Sequence, residues 1–191
     1  MDEIEIQLQE SINTKKELLA TQLATIQKIA RITTDAFRKN HRLYLIGNGG
    51  SAADAQHIAG ELIGRFKINR RPLPAIALST DTSVITALAN DFGYDTCFAR
   101  QIEALVTTGD VVFALSTSGN SKGILNAVHI ARERGAITVG FTGKDGGLLK
   151  DAVDICLRAP SDNTPRIQEC HITVGHVVCF MVEKELFGNK V

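Results

Sequence analysis

The chain lacks an excess of charge of either sign, since its 191 residues include 21 lysines and arginines and 21 aspartates and glutamates. Proteins held on nucleic acid or on anionic membranes usually carry a basic surplus, and we expect neither partner here. No apolar run approaches the roughly 20 residues that span a bilayer. The first ten residues, MDEIEIQLQE, are too acidic and polar for a signal peptide. These absences favour a cytoplasmic protein.

Familiar redox and nucleotide-binding signatures are missing as well. The four cysteines, at positions 97, 156, 170 and 179, show no C-x-x-C spacing, and three of them sit among apolar neighbours. Reduced, buried thiols are therefore expected. The chain has no G-K-[S/T] phosphate loop, and its glycines at 47–50 do not follow the G-x-G-x-x-G spacing of dinucleotide-binding folds. Any anion must be held by another local arrangement.

Residues 2–39 contain neither proline nor glycine and have the spacing of a helix. Their apolar side chains recur at steps of three, four and seven residues, which predicts a single apolar stripe. So long a stripe must be buried against this domain or against a neighbouring subunit, and we favour a self-associating layer of N-terminal helices over residues 1–39. The residues of the stripe are Ile12, Leu19, Leu23, Ile26, Ala30 and Phe37.

Beyond residue 40, short apolar runs rich in β-branched residues alternate with stretches of helical spacing. Strands that are apolar on both faces and separated by helices predict a parallel sheet covered on both sides. We therefore predict an α/β, doubly wound core over residues 40–191, which forms a single domain with the N-terminal helices. The predicted strands are 42–46, 74–78, 110–115, 136–141 and 153–157, and the predicted helices are 52–66, 83–90, 95–106, 121–134 and 165–187.

Two glycine-containing loops follow predicted strands, at the sheet edge where open α/β folds bind ligands. The first, GNGGSAADA at 47–55, leads from a strand into a helix. The second, STSGNS at 116–121, places four hydroxyl side chains around a glycine at a helix start. Hydroxyls and the amides of a helix N-terminus can hold a phosphate without a lysine. Since an ordinary N-cap needs only one such residue, we interpret 116–121 as a phosphate site.

The helix that follows the first loop carries His57 and Glu61 one turn apart. Side chains at this spacing share one helix face about 6 Å apart, which suits joint ligation of one metal ion. The spacing alone is a weak signal, because such pairs often form simple hydrogen bonds at the surface.

Taken together with ANDFGYD at 89–95 and RIQECHITVGH at 166–176, these motifs resemble the sugar isomerase (SIS) domain family, and within it the phosphoheptose isomerases. The resemblance extends over essentially the whole chain. It implies a three-layer αβα sandwich of flavodoxin-like type with a five-stranded parallel sheet, and a homotetramer with active sites near the subunit interfaces. It also implies the interconversion of sedoheptulose 7-phosphate and D-glycero-D-manno-heptose 7-phosphate through an enediolate, the first step toward nucleotide-activated heptoses of bacterial surface polysaccharides such as lipopolysaccharide.

The resemblance further implies the residues of the site. Catalysis falls on Glu61 and His176, which are suited to the acid–base work of an aldose–ketose isomerisation. One zinc ion per subunit is implied, with the ligands His57, Glu61, Gln168 and His176. The implied substrate contacts come from both loops, from ANDFGYD and from the two helices that carry the ligands: Asn48, Gly49, Gly50, Glu61, Asn90, Asp91, Ser116, Thr117, Ser118, Ser121 and Gln168.

Two of these assignments leave alternatives open. Gln168 and His176 are eight residues apart, which on a straight helix is a rise of about 12 Å with directions about 80° apart. Either the helix deforms near Gly175, or the two residues come from different subunits, or one is not a ligand in every state. By helix geometry alone, His171 would be the better partner of Gln168. A metal-bound Glu61 is also a poor base, so either it leaves the metal or His176 takes the role of base.

Two other functions remain as alternatives. A SIS-domain protein can bind a sugar phosphate as a regulator, or associate with a replication initiator, without catalysing a reaction. Such a protein has no need for a carboxylate one turn after His57, so Glu61 favours an enzyme. An isomerase for a different sugar phosphate is the second alternative, since the loops alone do not define the sugar.

Overall fold

The structure, a computed structural model, describes residues 2–188, which form five strands with helices between them. Its strands are β1 (Leu43–Gly47), β2 (Ala75–Ala77), β3 (Val111–Leu115), β4 (Ile137–Thr142) and β5 (Ile155–Arg158). Its α-helices are α1 (Glu3–Arg38), α2 (Gly50–Ile63), α3 (Thr82–Phe92), α4 (Cys97–Leu105), α5 (Lys122–Glu133), α6 (Leu149–Ala152) and α7 (Thr164–Phe187), and a 3₁₀ turn spans Tyr94–Thr96. The predicted α/β class is confirmed.

The five strands form one parallel sheet in the order β2-β1-β3-β4-β5. Leu43 of β1 pairs with Ala75 on one side and with Val111 on the other. From β1 the chain first adds β2 on one side, and it then adds β3, β4 and β5 in turn on the other side. The direction of strand addition therefore reverses at β1 and β3. In open sheets of this kind the crevice at the reversal is the usual ligand site.

Helices cover both faces of the sheet. Side chains that point to one face, such as Leu45 and Phe113, pack with α1, α2 and α7 in one buried cluster. Their neighbours in sequence, such as Tyr44 and Val112, point the other way and pack with α4, α5 and α6 in a second cluster. This alternation follows from the two-residue period of a strand and confirms the three-layer sandwich.

All five predicted strands are present within two residues of their predicted ends. The largest difference in a helix is at the end of α2, which stops at Ile63 rather than at 66. Gly64 follows directly, and the Arg70 guanidinium donates to the carbonyl of Leu62 at 2.7 Å, which satisfies a carbonyl that the helix leaves unpaired. The four-residue helix α6 was not predicted, because one turn is too short to show a period.

The apolar stripe of α1 is only partly buried within the chain. Ile26, Ala30 and Phe37 lie in the core against the sheet and α7. Leu19 and Leu23, by contrast, are 65% and 50% exposed. The predicted stripe thus divides into a half that packs on this domain and a half that faces outward.

Cys97, Cys156, Cys170 and Cys179 are all free thiols. Among residues 2–188, no helix combines the length and the apolar character that crossing a bilayer requires.

His171 is a core residue of α7 rather than a surface group. Its side chain is fully buried, its Nε2 donates to the Thr142 carbonyl at 3.1 Å, and its ring meets Phe141 edge-on at 5.7 Å. Burial lowers the pKa of His171 to about 4, although the hydrogen bond to Thr142 opposes the shift. The imidazole is therefore neutral at ordinary pH.

This burial predicts an acid-sensitive fold. Between about pH 6.5, where an unfolded histidine titrates, and the folded pKa of His171, the unfolded chain binds a proton that the folded chain does not. Stability is therefore expected to fall on acidification by up to about 1.4 kcal/mol per pH unit in this window. Urea unfolding at about pH 7 and about pH 5 measures the loss. His171→Gln should lose less stability than the unchanged protein between the two pH values. An equal loss would show that the acid sensitivity does not come from His171.

Candidate functional site

Two helices bring three of the predicted metal ligands to one point. His57 and Glu61 lie one turn apart on α2, with 3.2 Å between His57 Nε2 and Glu61 Oε1. His176 reaches the same point from α7, and its Nε2 lies 3.0 Å from His57 Nε2. The donor atoms of the three side chains all lie within 4.8 Å of one another. The cluster is accessible from outside, because half of the His57 side chain is exposed.

The close approach of α2 and α7 depends on Gly175. A Cβ atom at this position would lie 2.6 Å from Ile58 Cδ1, so a larger residue would force either the fully buried Ile58 side chain or the helices themselves to shift. Helix α7 runs without interruption from Thr164 to Phe187, which excludes a deformation at Gly175 as the way His176 is placed. The glycine instead allows the next residue, His176, to reach His57 from an unbroken helix.

The donor set of this cluster fits a zinc ion. Two imidazole nitrogens and a carboxylate oxygen are common zinc ligands, and donors at about 2.0–2.2 Å from a tetrahedral ion lie about 3.4 Å apart. The observed separations of 3.0 Å and 3.2 Å are close to this value. Lone pairs that face each other at such distances repel unless a proton or a cation lies between them. His57, Glu61 and His176 thus form a cluster whose side chains could hold a metal ion.

Gln168, the fourth predicted ligand, lies on α7 and faces the start of α2 rather than the cluster. Its side-chain amide packs directly against Gly50, where a Cβ atom would collide with it. Gly50 and His57 are seven residues apart, which is a rise of about 10 Å on a helix. Within one chain Gln168 therefore lies beside the glycine loop, and its role as a metal ligand stays a prediction.

The segment 116–121 forms a tight turn between β3 and α5. Gly119 has a φ of 66°, which side-chain-bearing residues rarely adopt, and its N–H donates to the Ser116 carbonyl at 3.0 Å. A Cβ atom at Gly119 would also collide with the carbonyl oxygen of Gly146. Glycine is thus required here for two reasons, and the turn 142–147 packs directly on the loop.

The hydroxyl groups of this loop are not used to cap α5. Ser121 occupies the N-cap position, yet its side chain makes no capping hydrogen bond. Its Oγ instead accepts from Asn48 Nδ2 at 3.1 Å, while Ser118 Oγ accepts from the Asn120 N–H at 3.2 Å. These contacts favour the phosphate-binding interpretation over an ordinary N-cap.

A cavity of about 220 Å³ adjoins the same loop. Thr117 and Ser118 line one side of it, and Lys144, Ser161 and Thr164 line the others. Asp145 and Asp162 line it as well, so hydroxyl groups and charged side chains of both signs surround a space next to the predicted phosphate site. The segments after β4 and β5 also contribute residues to this cavity. The sequence alone left open whether these segments are more than connections.

A tyrosine orients Asn48, the residue that links the glycine loop to the second loop. The Tyr94 hydroxyl donates to Asn48 Oδ1 at 2.8 Å, so the Asn48 amide is oriented with its Nδ2 toward Ser121. Because Ser121 Oγ accepts from Asn48, the hydroxyl hydrogen of Ser121 is available for a phosphate oxygen. Tyr94 lies within the ANDFGYD motif, but nothing in the sequence indicated that its hydroxyl reaches Asn48.

The structure places Asn90 and Asp91 at the exposed end of α3. Asn90 Nδ2 donates to Asp91 Oδ1 at 2.8 Å. The 3₁₀ turn that follows carries Tyr94, and this brings the end of α3 toward the glycine loop. The predicted contact of both residues with substrate stays a prediction.

One acidic residue near the cluster was missed by the sequence reasoning. Asp54 lies one turn before His57 on α2, and its Oδ2 is buried with no hydrogen-bond partner among residues 2–188. Burial raises the pKa of Asp54, while the neighbouring His57 opposes the shift. The three-residue spacing to His57 was the signal that would have found it, since carboxylates often orient metal-binding histidines.

Comparison with known proteins points to one family. A family model described as the SIS domain matches residues 8–143. The phosphoheptose isomerase of Roseiflexus sp. (strain RS-1) is 54% identical over 187 residues, which cover 98% of this chain and 93% of that protein. The solved phosphoheptose isomerases of Neisseria gonorrhoeae and Francisella tularensis superpose with TM-scores of 0.90 and 0.93. They are 38% and 35% identical, and the matches cover 95% and 96% of this chain and 97% of each of those chains.

Proposed function

Because the chain belongs to the SIS domain family, and within it to the phosphoheptose isomerases, we propose that it interconverts sedoheptulose 7-phosphate and D-glycero-D-manno-heptose 7-phosphate. Membership of this family identifies the chain as a sugar phosphate isomerase. The identity of the two heptoses is our proposal. The observation that carries it is the combination of a hydroxyl-rich loop with a His–Glu–His cluster. The reaction would be the first step of nucleotide-activated heptose synthesis, for surface polysaccharides such as lipopolysaccharide.

In this proposal the second loop binds the phosphate of the sugar. Ser116, Thr117, Ser118 and Ser121 offer hydroxyl donors, and the first turn of α5 offers unpaired N–H groups and a favourable dipole. An anchored phosphate fixes the sugar in place, and binding energy at that end then orients the reacting carbons at the other.

Glu61 and His176 are the proposed acid–base pair. Isomerisation of the ketose requires removal of a proton from C1, formation of an enediolate, and delivery of a proton to C2 while the proton of O1 moves to O2. Both side chains lie in the cluster where these carbons would be placed, with their donor atoms within 4.8 Å. Either residue can perform the first transfer, and the other then acts on the oxygen atoms.

We propose that the cluster holds one zinc ion per subunit through His57, Glu61 and His176, with Gln168 as a further ligand. A bound zinc ion polarises a carbonyl oxygen and stabilises the negative charge of an enediolate. The contribution of the chain itself is to orient the two imidazoles and the carboxylate toward one point. Gly175 makes that orientation possible by admitting α7 close to α2.

The active sites are proposed to lie near the subunit interfaces of a homotetramer. Helix α3 has no buried residue in the single chain, and the outer half of the α1 stripe is exposed, which is typical of surfaces that join subunits. Within one chain, Gly50 and the Gln168 amide beside it lie about 16 Å from Glu61 along α2. A neighbouring subunit could instead bring its own Gln168 or its own phosphate loop close to the cluster. Light scattering of the purified protein tests this, and a monomer would contradict it.

A cytoplasmic location is in keeping with the four free cysteines.

Loss of the Tyr94 hydroxyl is expected to weaken substrate binding. In Tyr94→Phe the Asn48 amide loses its fixed orientation, so Ser121 no longer has a defined donor for the phosphate. We expect KM to rise about three- to tenfold with kcat nearly unchanged, since one hydrogen bond contributes about 0.5–1.5 kcal/mol. Tyr44→Phe is the matched control, because its hydroxyl bonds the Leu105 carbonyl at the end of α4 at 2.9 Å rather than Asn48. An unchanged KM in Tyr94→Phe would contradict the proposed orientation.

Proton NMR in D₂O tests the proposed reaction directly. The purified protein is incubated with sedoheptulose 7-phosphate alone, with added zinc, and with a chelator. New anomeric signals and entry of solvent deuterium at C2 are expected, because an enediolate exchanges protons with water. Loss of turnover with the chelator, and its return with zinc, would support the metal site.

Two results would count against the proposal in different ways. Turnover that persists after complete metal removal would contradict the zinc assignment and leave the isomerase assignment intact. Absence of turnover under every metal condition, with the sugar phosphate still bound, would contradict the proposed pair of heptoses as substrates and products.

A further inference from the structure

Phe66 lies in the segment 64–72 that follows α2, and its ring stacks on the imidazole of His176. The two ring centroids are 5.7 Å apart and the planes differ by 26°. The His176 ring also meets His57 edge-on, with centroids 4.9 Å apart. The imidazole is thus held by an aromatic face in addition to the other histidine, and this limits its rotation.

A buried ion pair anchors the segment that carries Phe66. Arg70 Nε donates to Glu183 Oε1 at 3.0 Å, and the two side chains are only 2% and 3% exposed. Glu183 also accepts the backbone N–H groups of Phe66 at 3.2 Å, Lys67 at 2.7 Å and Ile68 at 3.1 Å. The backbone of Phe66 is therefore bonded to α7 two turns beyond the position of His176.

The same arginine binds the end of α2. Its guanidinium donates to the carbonyls of Glu61 at 2.9 Å and Leu62 at 2.7 Å, which belong to the last turn of the helix and have no partner within it. Arg70 thus joins α2, the segment 64–72 and α7. These are the elements that carry Glu61, Phe66 and His176.

We infer that Phe66 is a positioning residue of the metal site, placed there by the ion pair of Arg70 and Glu183. The inference rests on the metal cluster of the proposed function and deepens it. Phe66 offers no ligand atom, but its ring fixes the plane of the His176 imidazole so that Nε2 faces His57. A ligand that is already oriented loses less conformational freedom when the ion binds, and this favours tighter binding.

Cobalt(II) binding to the full chain tests the inference without relying on activity. Phe66→Leu removes the ring and keeps an apolar side chain, and we expect Co²⁺ to bind about three- to tenfold more weakly with an altered visible spectrum. Phe66→Tyr retains the stacked ring and should bind Co²⁺ as the unchanged protein does. Phe180→Leu is the matched control and should bind Co²⁺ as the unchanged protein does. It removes a second aromatic ring from the same neighbourhood, since the rings of Phe66 and Phe180 lie 5.8 Å and 5.0 Å from Lys67 Nζ.

Equal Co²⁺ affinity in Phe66→Leu and the unchanged protein would overturn the inference and leave the isomerase proposal standing. Equal weakening in Phe66→Tyr and Phe66→Leu would overturn it as well. If the unchanged protein bound no Co²⁺, the metal part of the proposed function would fail. NMR of the His176 ring protons in metal-free protein then decides the stacking: their ring-current shift should disappear in Phe66→Leu, and an unmoved signal would overturn the positioning role.

Discussion

Replacing Glu61 with glutamine is expected to lower kcat by about two to four orders of magnitude, which is the usual contribution of a positioned acid or base. The substitution keeps the size and the hydrogen-bonding reach of the side chain but removes its ability to take a proton. Binding of the sugar phosphate should be nearly unchanged, because the proposed phosphate loop lies at the other end of α2. Steady-state kinetics and calorimetric titration of sedoheptulose 7-phosphate measure the two effects separately.

The chain offers a matched control for this substitution. His129 and Glu133 on α5 have the same four-residue spacing and the same 3.2 Å separation as His57 and Glu61, and both are exposed. Glu133→Gln removes the same chemical group from a histidine–glutamate pair outside the cluster, and its kcat should be unchanged. Substantial turnover in Glu61→Gln would remove Glu61 from the catalytic role.

Replacing Glu183 with alanine is expected to lower the free energy of unfolding by about 3–5 kcal/mol, because it leaves the buried Arg70 charge without its partner. Three backbone N–H groups would lose their acceptor at the same time. This is a large share of the roughly 5–15 kcal/mol that stabilises a domain. Urea unfolding gives the change directly, and the same variant should bind Co²⁺ more weakly because Phe66 is no longer anchored.

Glu185→Ala is the control for this prediction. Glu185 pairs with Arg38 at 3.5 Å, but these side chains are about half exposed, and exposed ion pairs contribute at most about 1 kcal/mol. A loss in Glu183→Ala no larger than in Glu185→Ala would show that the buried pair does not anchor the segment.

The pKa of Glu183 adds a pH dependence to the same prediction. Burial alone would raise it, but the N–H groups of residues 66–68 and the Arg70 guanidinium hold the pKa below its ordinary value. A carboxylate with a lowered folded pKa stabilises the fold above the unfolded pKa, and this stabilisation is lost as the pH falls through the folded value. The native protein should therefore lose stability further below about pH 4.3, and Glu183→Ala should lose less there.

Much of the fold could be predicted because each strand carries its own signal. The β-branched apolar runs that became β1, β3 and β4 are buried on both faces, as a central parallel strand requires. The order of the strands had no such local signal, since the residues that pair, for example Leu43 and Val111, are far apart in the sequence.

The candidate site was predictable to the extent that its residues share a helix or a loop. His57 and Glu61 could be paired from their spacing alone, whereas His176 entered only through the family resemblance. Phe66, Arg70 and Glu183 were missed, because the pair that joins the last two spans 113 residues and an isolated arginine and glutamate have no period. The partial burial of the α1 stripe was likewise undecided, since a helix pattern does not say which partner covers it.

The sequence by itself determined the α/β class, the approximate extent of each strand and long helix, and the two loops and the histidine–glutamate pair at the edge of the sheet. These features depend on neighbours along the chain, whose spacing is visible in the sequence. Only the tertiary structure decided that His176 meets His57 through the close approach at Gly175, that Gln168 lies against Gly50, and that Glu183 anchors Phe66. Each of these depends on the distance between helices, which is set by packing between residues far apart in the chain.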